Sequence, residues 1–255
     1  MEVCYADSLL LRRLAWWPYV QLGLVFVFVV VAIFALLSSK RAEQNKVWVG
    51  LSKETAHQLG TPISSLMAWQ EVLRETYPDD SLLPEMGKDV ERLQRIAERF
   101  SKIGSLPELR PESLDAVLDN VTQYISRRAS NRVHLSCVLP QQPIIVPMCS
   151  SLFEWVVENL CKNAIDAMEG EGSIVLTAFC EDNHAVVEVS DTGKGIPRNM
   201  FRTVFTPGFT TKKRGWGLGL SLAKRIVEEY HHGRIYVKSS EVGHGTTFRI
   251  ELKIH

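Results

Sequence analysis

The sequence has no excess of either charge: 29 Lys and Arg stand against 29 Asp and Glu. Proteins that grip nucleic acid usually carry a basic excess, so no nucleic-acid partner is expected. Cysteine is scarce and unpatterned. Cys4, Cys137, Cys149, Cys161 and Cys180 include no C-x-x-C pair and have no histidine at zinc-finger spacing. An odd count in a chain this long argues against a disulfide framework, and free thiols fit a cytosolic setting. No internal repeat is present, which removes solenoids and propellers.

What the chain does have is one long apolar run. Residues 16–37 carry no charge, and residues 22–37 read LGLVFVFVVVAIFALL. About 20 apolar residues are the length needed to cross a bilayer as a helix. Trp16, Trp17 and Tyr19 stand at its start, where an aromatic belt would lie. Lys40, Arg41, Lys46 and Lys53 follow it, against Arg12 and Arg13 before it. The positive-inside rule then places the C-terminal part in the cytoplasm. A signal peptide fits less well, because the run is long and no A-x-A site follows. The expected organisation starts with a short extracytoplasmic segment at 1–18 and a transmembrane helix at 19–37. Some 15 residues are too few for a sensor domain, so the chain is expected to be the C-terminal part of a longer protein. The 20 residues from Leu37 to His57 leave room for a continuous helix of roughly 30 Å.

Beyond the span two helical patterns are joined by the turn signal at Tyr77-Pro78-Asp79-Asp80-Ser81. The first spaces Val47, Leu51, Leu59, Ile63, Leu66 and Leu73 along one stripe. The second spaces Leu83, Met86, Val90, Leu93, Ala97, Phe100 and Ile103, with charges on its outer face. One hairpin encloses such a stripe poorly, whereas two hairpins from two chains make a four-helix bundle, so residues 41–104 predict a homodimer. Residues 105–112 read as a linker. From 113 to 255 helix and strand patterns alternate: helices over 113–130, 150–168 and 218–230, and strands over 132–139, 173–181, 185–190, 234–239 and 246–252. This predicts an α/β sandwich.

Four short stretches in that region carry chemistry. In E-N-L-C-K-N-A, Asn159 and Asn163 are four apart and share a helix face. Amide oxygens are hard ligands that suit Mg²⁺ held also by phosphates, although two helical Asn are more often surface residues. Asp191-Thr192-Gly193-Lys194-Gly195 follows the strand pattern AVVEVS. A carboxylate fixed at a strand end can accept from an adenine amino group, while the bland alternative is a hairpin turn. Gly215-Trp216-Gly217-Leu218-Gly219-Leu220 opens a helix, and Thr210-Thr211-Lys212-Lys213-Arg214 just before it brings three cations. The glycines would expose backbone N–H groups to phosphates, but no G-K-[ST] follows, so this is not a Walker A loop. Gly243-His244-Gly245-Thr246-Thr247-Phe248 is a turn into the last strand.

In this order the stretches resemble the nucleotide-binding boxes of the Bergerat-type ATPase domain shared by histidine kinases, Hsp90, DNA gyrase and MutL, over roughly residues 109–253. The resemblance implies that histidine kinase/Hsp90-like fold for the sandwich, with ATP and Mg²⁺ as cofactors. It implies Asn163 as the main Mg²⁺ ligand with Asn159 beside it, and Asp191 as the adenine contact. Lys162, Gly193, Gly195, Thr211, Lys212, Arg214, Gly215, Gly217, Leu218, Gly219 and Thr246 complete the implied nucleotide set, with 204–212 and 215–219 as a lid. Members that hydrolyse ATP with water usually carry Glu four residues before the metal Asn. Asn159 stands there instead, which looks like the kinase branch.

His57 sits in E-T-A-H-Q-L-G-T-P-I-S-S-L. A lone helical His is usually only polar surface. H-x-x-x-T-P on a dimerising hairpin, upstream of such an ATPase domain, resembles the H box of sensor histidine kinases. The resemblance implies autophosphorylation of His57 and transfer to an aspartate of a response regulator. It also gives Thr61 a part in dephosphorylating that partner, and implies a cell (inner) membrane location with cytoplasmic kinase domains. Two departures stand out. The acidic residue that usually follows the phosphoacceptor is Gln58, which cannot take a proton; Gln58 can still orient the ring, and Glu54 one turn away is a substitute. Gly208 replaces a second aromatic common in the lid. A chaperone-like conformational ATPase is disfavoured by Asn159 and the H box. A catalytically silent scaffold finds its support in Gln58.

Overall fold

The computed structural model describes residues 9–103, 107–212 and 217–254. Helix α1 runs from Leu9–Thr76, 68 residues. It carries the apolar run and the first helix of the hairpin without a break, as the 20-residue spacing allowed. Trp16–Leu36 is long and apolar enough to cross a membrane, and none of it is buried in the protein. Residues 9–18, read as part of a separate outer segment, already belong to α1; residues 1–8 lie outside the described residues, as do the side chains of Val47 and Leu51.

At Tyr77 the chain turns back. The Tyr77 N–H still reaches Leu73 at 2.7 Å, and the Asp80 carboxylate accepts from the Leu82 N–H at 2.8 Å. Helix α2, Leu83–Ile103, then packs on α1. Its three buried apolar residues, Leu83, Val90 and Ala97, fall seven apart, the spacing that keeps one seam on a partner helix. Val90 and Ala97 close on Ile63, with Leu59 and Leu66 partly covered. Met86 and Leu93 on the same helix stay over 40% exposed, so a single hairpin leaves part of its stripe in water. The side chains of Phe100 and Ile103 are outside the described residues.

The C-terminal domain is a two-layer sandwich. Five strands, β2 (Val133–Val138), β4 (Gly172–Glu181), β5 (His184–Asp191), β6 (Arg234–Glu241) and β7 (Gly245–Lys253), lie in the order β2-β4-β5-β7-β6. Only β2 and β4 are parallel. Strand alternation puts Ile174, Leu176, Val187, Val189, Ile250 and Leu252 on one face. Helices α3 (Leu114–Ser126), α4 (Ser150–Ala167) and α5 (Gly219–Arg225) bury Leu118, Phe153, Leu160 and Ala223 against it. Ser113 caps α3 by accepting the Ala116 N–H. On the open face Arg249 is ringed by Glu181, Glu188 and Glu251.

Two features differ from the sequence reading. Residues 110–112, read as linker, belong to a short strand β1 (Arg110–Ser113) that pairs with β3 (Ile145–Met148). The stretch expected to be one helix over 218–230 is α5 followed by a wider π turn, Ile226–Tyr230. His231 closes that turn. Its Nδ1 meets the Ile226 carbonyl at 2.8 Å, and its Nε2 accepts the Cys149 N–H at 3.1 Å, tying the turn to the start of α4.

Candidate nucleotide site and phosphoacceptor groove

Two groups of predicted residues gather in separate places. The first lies where α4, the end of β5 and the loop before α5 meet. The i, i+4 spacing puts Asn159 and Asn163 on one side of α4. Asn163 Oδ1 accepts from Lys212 Nζ at 2.9 Å, and the same ammonium pairs with Asp166 Oδ2 at 2.5 Å. An amide oxygen that attracts an ammonium group is a position where a cation is favoured. Asn159 faces the start of α5: a Cβ added to Gly219 would stand 2.6 Å from Asn159 Oδ1. Glycine there leaves the amide its place.

Asp191 ends β5 and is 8% exposed. Its Oδ1 accepts the Gly193 N–H at 2.8 Å, and the Thr246 N–H donates to the same carboxylate. Burial nevertheless pushes the Asp191 carboxyl above its ordinary range; these two N–H groups work in the opposite direction. Thr246, on the neighbouring strand, pairs in register with Asp191 and shares a hydroxyl hydrogen bond with Ser240. Gly195, at φ +71°, packs where a Cβ would collide with the Glu241 backbone, so its part is to fold the loop back onto β6. The Lys194 N–H bonds the Ala167 carbonyl at 3.0 Å, fixing this loop to the end of α4.

The lid residues are partly in view. Gly208 and Gly217 close a loop through an N–H to carbonyl bond of 3.1 Å. Thr211 and Lys212 are exposed, and Leu218 is half-buried. Arg214 and Gly215 lie outside the described residues. Lys162 faces elsewhere than its neighbour Asn163: its ammonium pairs with Glu158 at 3.2 Å and stands over the Tyr124 ring.

Glu158 itself was not singled out in the sequence. It is 5% exposed and accepts a two-pronged pair from Arg99 of α2, at 2.5 and 3.0 Å. Burial alone would raise its carboxyl, but the Arg99 hydrogen bonds and charge, with Lys162, bring it below the ordinary value. The only sequence signal was the i, i+4 spacing to Lys162; nothing local indicates Arg99, 59 residues earlier. Asp166 was missed in the same way.

The second group lies on the hairpin. A groove of about 810 Å³ between α1 and α2 is lined by Glu54, His57, Gly60, Thr61, Ile63 and Glu98, among others, all from residues 50–101. His57, Gln58 and Thr61 are exposed. Pro62 stands inside α1, where it cannot donate to the residue four back. Among the described residues nothing from the C-terminal domain lines this groove, so the two groups are apart in this arrangement.

Residues 150–255 match the family of histidine kinase-, DNA gyrase B-, and HSP90-like ATPases. The C-terminal sandwich is an ATPase domain of that kind. Over 214 residues, 80% of its length, the chain is 30% identical to the sensor histidine kinase ZraS of Klebsiella oxytoca and covers 46% of it. The chain is a homologue of sensor histidine kinases, and it spans about half the length of the curated relatives it matches. The catalytic domain of histidine kinase ThkA superposes with TM-score 0.53 at 26% identity, over 58% of this chain and 96% of that domain. ThkA in complex with the response regulator protein TrrA shares the fold, with TM-score 0.54 at 22% identity over 84% of this chain and 64% of that one.

Among the described residues no three His, Cys, Asp or Glu side chains gather as a metal site. A cation at Asn163 of the ATPase domain would therefore need the phosphates of a nucleotide for its remaining ligands. The hard oxygen of Asn163, already matched to a cation by Lys212, fits that requirement.

Proposed function

We propose that this chain is a membrane-anchored protein histidine kinase that transfers the γ-phosphoryl group of ATP to His57 and then to an aspartate of a response regulator. The observation that carries the reading is an exposed imidazole, followed by Thr61-Pro62, in a groove on a helical hairpin joined to a histidine kinase-type ATPase domain. An imidazole in water is a nucleophile in its neutral form near physiological pH.

Each site residue has a part. The buried Asp191 carboxylate, held by the Gly193 and Thr246 N–H groups, accepts from the adenine amino group. Asn163, with Asn159 beside it, holds the magnesium that accompanies the nucleotide. When bound, that ion neutralises phosphate charge. Lys212 leaves Asn163 and Asp166 and turns to the phosphates, exchanging one anionic partner for another. Gly217, Leu218 and Gly219 bring backbone close to the phosphates, with Thr211 on the rim. The groove and the ATPase domain must then approach one another.

The homodimer is supported by the half-covered stripe of the hairpin, with Met86 and Leu93 left exposed. Trp16–Leu36 supports a membrane location, with the ATPase domain on the cytoplasmic side. The response regulator as partner is supported by the likeness to the ThkA complex, and Thr61 is assigned to its dephosphorylation. The test is to supply the full chain, in detergent or vesicles, with γ-labelled ATP and magnesium. Acid-labile label that disappears in both His57→Ala and Asn163→Ala is the expected result. Free phosphate without labelled protein would instead indicate a conformational ATPase.

A further inference from the structure

The residue after His57 is Gln58, which leaves the proposed transfer without an adjacent proton acceptor. The structure offers a replacement. Gln58 Nε2 donates to Glu54 Oε1 at 2.7 Å. Glu54 and His57 both line the groove, with Gly60 and Thr61. Residues three and four apart on a helix are surface neighbours, so Glu54 lies one turn from both His57 and Gln58. Helical side chains lean towards the N-terminus, which carries the His57 ring and the Gln58 amide back over the turn that holds Glu54.

We propose that Glu54 is the proton acceptor for His57, and that Gln58 is a positioning residue that fixes the Glu54 carboxylate beside the ring. An exposed Gln–Glu pair four apart is common on helices and by itself adds little stability. Here it falls at the one position where an acid is missing, and its Glu54 lines the groove that holds His57. Gln58 engages one carboxylate oxygen and leaves the second for the imidazole N–H.

The step rests on the kinase reading and balances as follows. The lone pair of one His57 ring nitrogen attacks the γ-phosphorus. A nitrogen–phosphorus bond forms, the bond from phosphorus to the β,γ-bridging oxygen breaks, and ADP leaves with that electron pair. The proton on the other ring nitrogen passes to the Glu54 carboxylate, leaving a neutral phosphorylated ring.

Glu98 is the other titratable group of the groove among the described residues, contributed by α2. Its carboxylate accepts from Gln94 on its own helix at 3.0 Å, so no contact from α1 aims it at His57. It serves as the control.

The experiment follows single-turnover labelling of the full chain by γ-labelled ATP from pH 6 to 9, together with ATP affinity. Glu54→Gln should slow labelling by about 100-fold, the low end of general-base help, across the whole pH range while ATP affinity stays unchanged. Gln58→Ala should lie between Glu54→Gln and the native chain. Glu54→Gln combined with Gln58→Glu, which moves the acid to the adjacent position, should recover most of the rate, and Glu98→Gln should leave it alone. Labelling of Glu54→Gln within about threefold of the native chain, far short of general-base help, overturns the proposal and leaves the kinase reading standing. An equal loss in Glu98→Gln also overturns it. A native chain that never gains label at His57 removes the kinase reading, and this proposal with it.

Discussion

At the scale of single residues the nucleotide site sets two buried polar groups, Asp191 and Thr246, beside half-buried Asn159 and Asn163. Asp191 shows what this implies. Its carboxylate accepts two backbone N–H groups, and its replacement by Asn keeps one acceptor while adding a donor. Asp191→Asn is therefore expected to fold, with a loss of about 1 kcal/mol, yet to lose most nucleotide affinity, because in the proposed binding mode the new NH₂ would face the adenine amino group. Isothermal titration with an ATP analogue, beside a thermal melt, checks both halves. His231 gives a pH dependence. Burial holds its imidazole below the ordinary value of 6.5, and the bonds to Ile226 and Cys149 oppose this without cancelling it. The unfolded chain then binds more protons than the folded one just below pH 6.5. Stability from this group is complete above that pH and declines as pH falls towards the folded value. Denaturant midpoints between pH 5 and 8 should show this slope, and His231→Gln should flatten it. The sequence displayed Asn159, Asn163 and Asp191 because each stands in a short local pattern. It did not display Lys212 on Asn163, since that contact joins residues 49 apart and depends on how the lid folds over α4.

At the scale of elements the joint between α2 and α4 is the feature with the clearest energetic content. Arg99 stacks near the Trp155 ring at 5.7 Å and grips the buried Glu158, while Lys102 reaches Ser151 at 2.6 Å. Removing one partner of a buried pair costs up to about 3 kcal/mol, because the other charge is left in low dielectric. Lys162 remains on Glu158 and reduces that cost. Arg99→Ala is thus expected to lower the stability of the ATPase domain and to raise the Glu158 carboxyl towards or above its ordinary value. The native Glu158 contribution is complete above pH 4.5, the ordinary carboxyl value, and is lost as pH falls through the depressed folded value. Arg99→Ala should erase that acid limb in a pH-resolved melt; an unchanged limb would show that Lys162 alone holds the carboxylate. Long periodic elements were legible in the sequence: α2 through apolar residues three or four apart, and β4, β5 and β7 through alternation. The pair β1 and β3 was not, because four-residue strands containing Pro111 and Pro147 carry too little periodicity. The π turn at Ile226–Tyr230 was hidden for a related reason, since its apolar residues suit an ordinary helix equally well.

At the scale of the molecule, helix α1 joins an apolar segment, the hairpin that carries His57 and, through α2, the C-terminal sandwich. Continuous helix from Leu9 to Thr76 means that a displacement of the apolar segment can be transmitted along one element to His57. The same continuity was foreseeable from the 20 uninterrupted residues between them. The separation of groove and nucleotide site was not, because the sequence holds no information on how the hairpin and sandwich are set against each other until Arg99 and Glu158 are seen together. The proposed transfer to His57 requires that this setting change. The most direct measurement is mass mapping of the phosphoryl group after incubation of the full chain with magnesium and ATP under base-stable, acid-free handling. The account predicts phosphate on the peptide containing His57, at that ring, and none in Asn163→Ala. Phosphate on a serine, threonine or aspartate instead, or nucleotide consumed with no phosphopeptide formed, would contradict it.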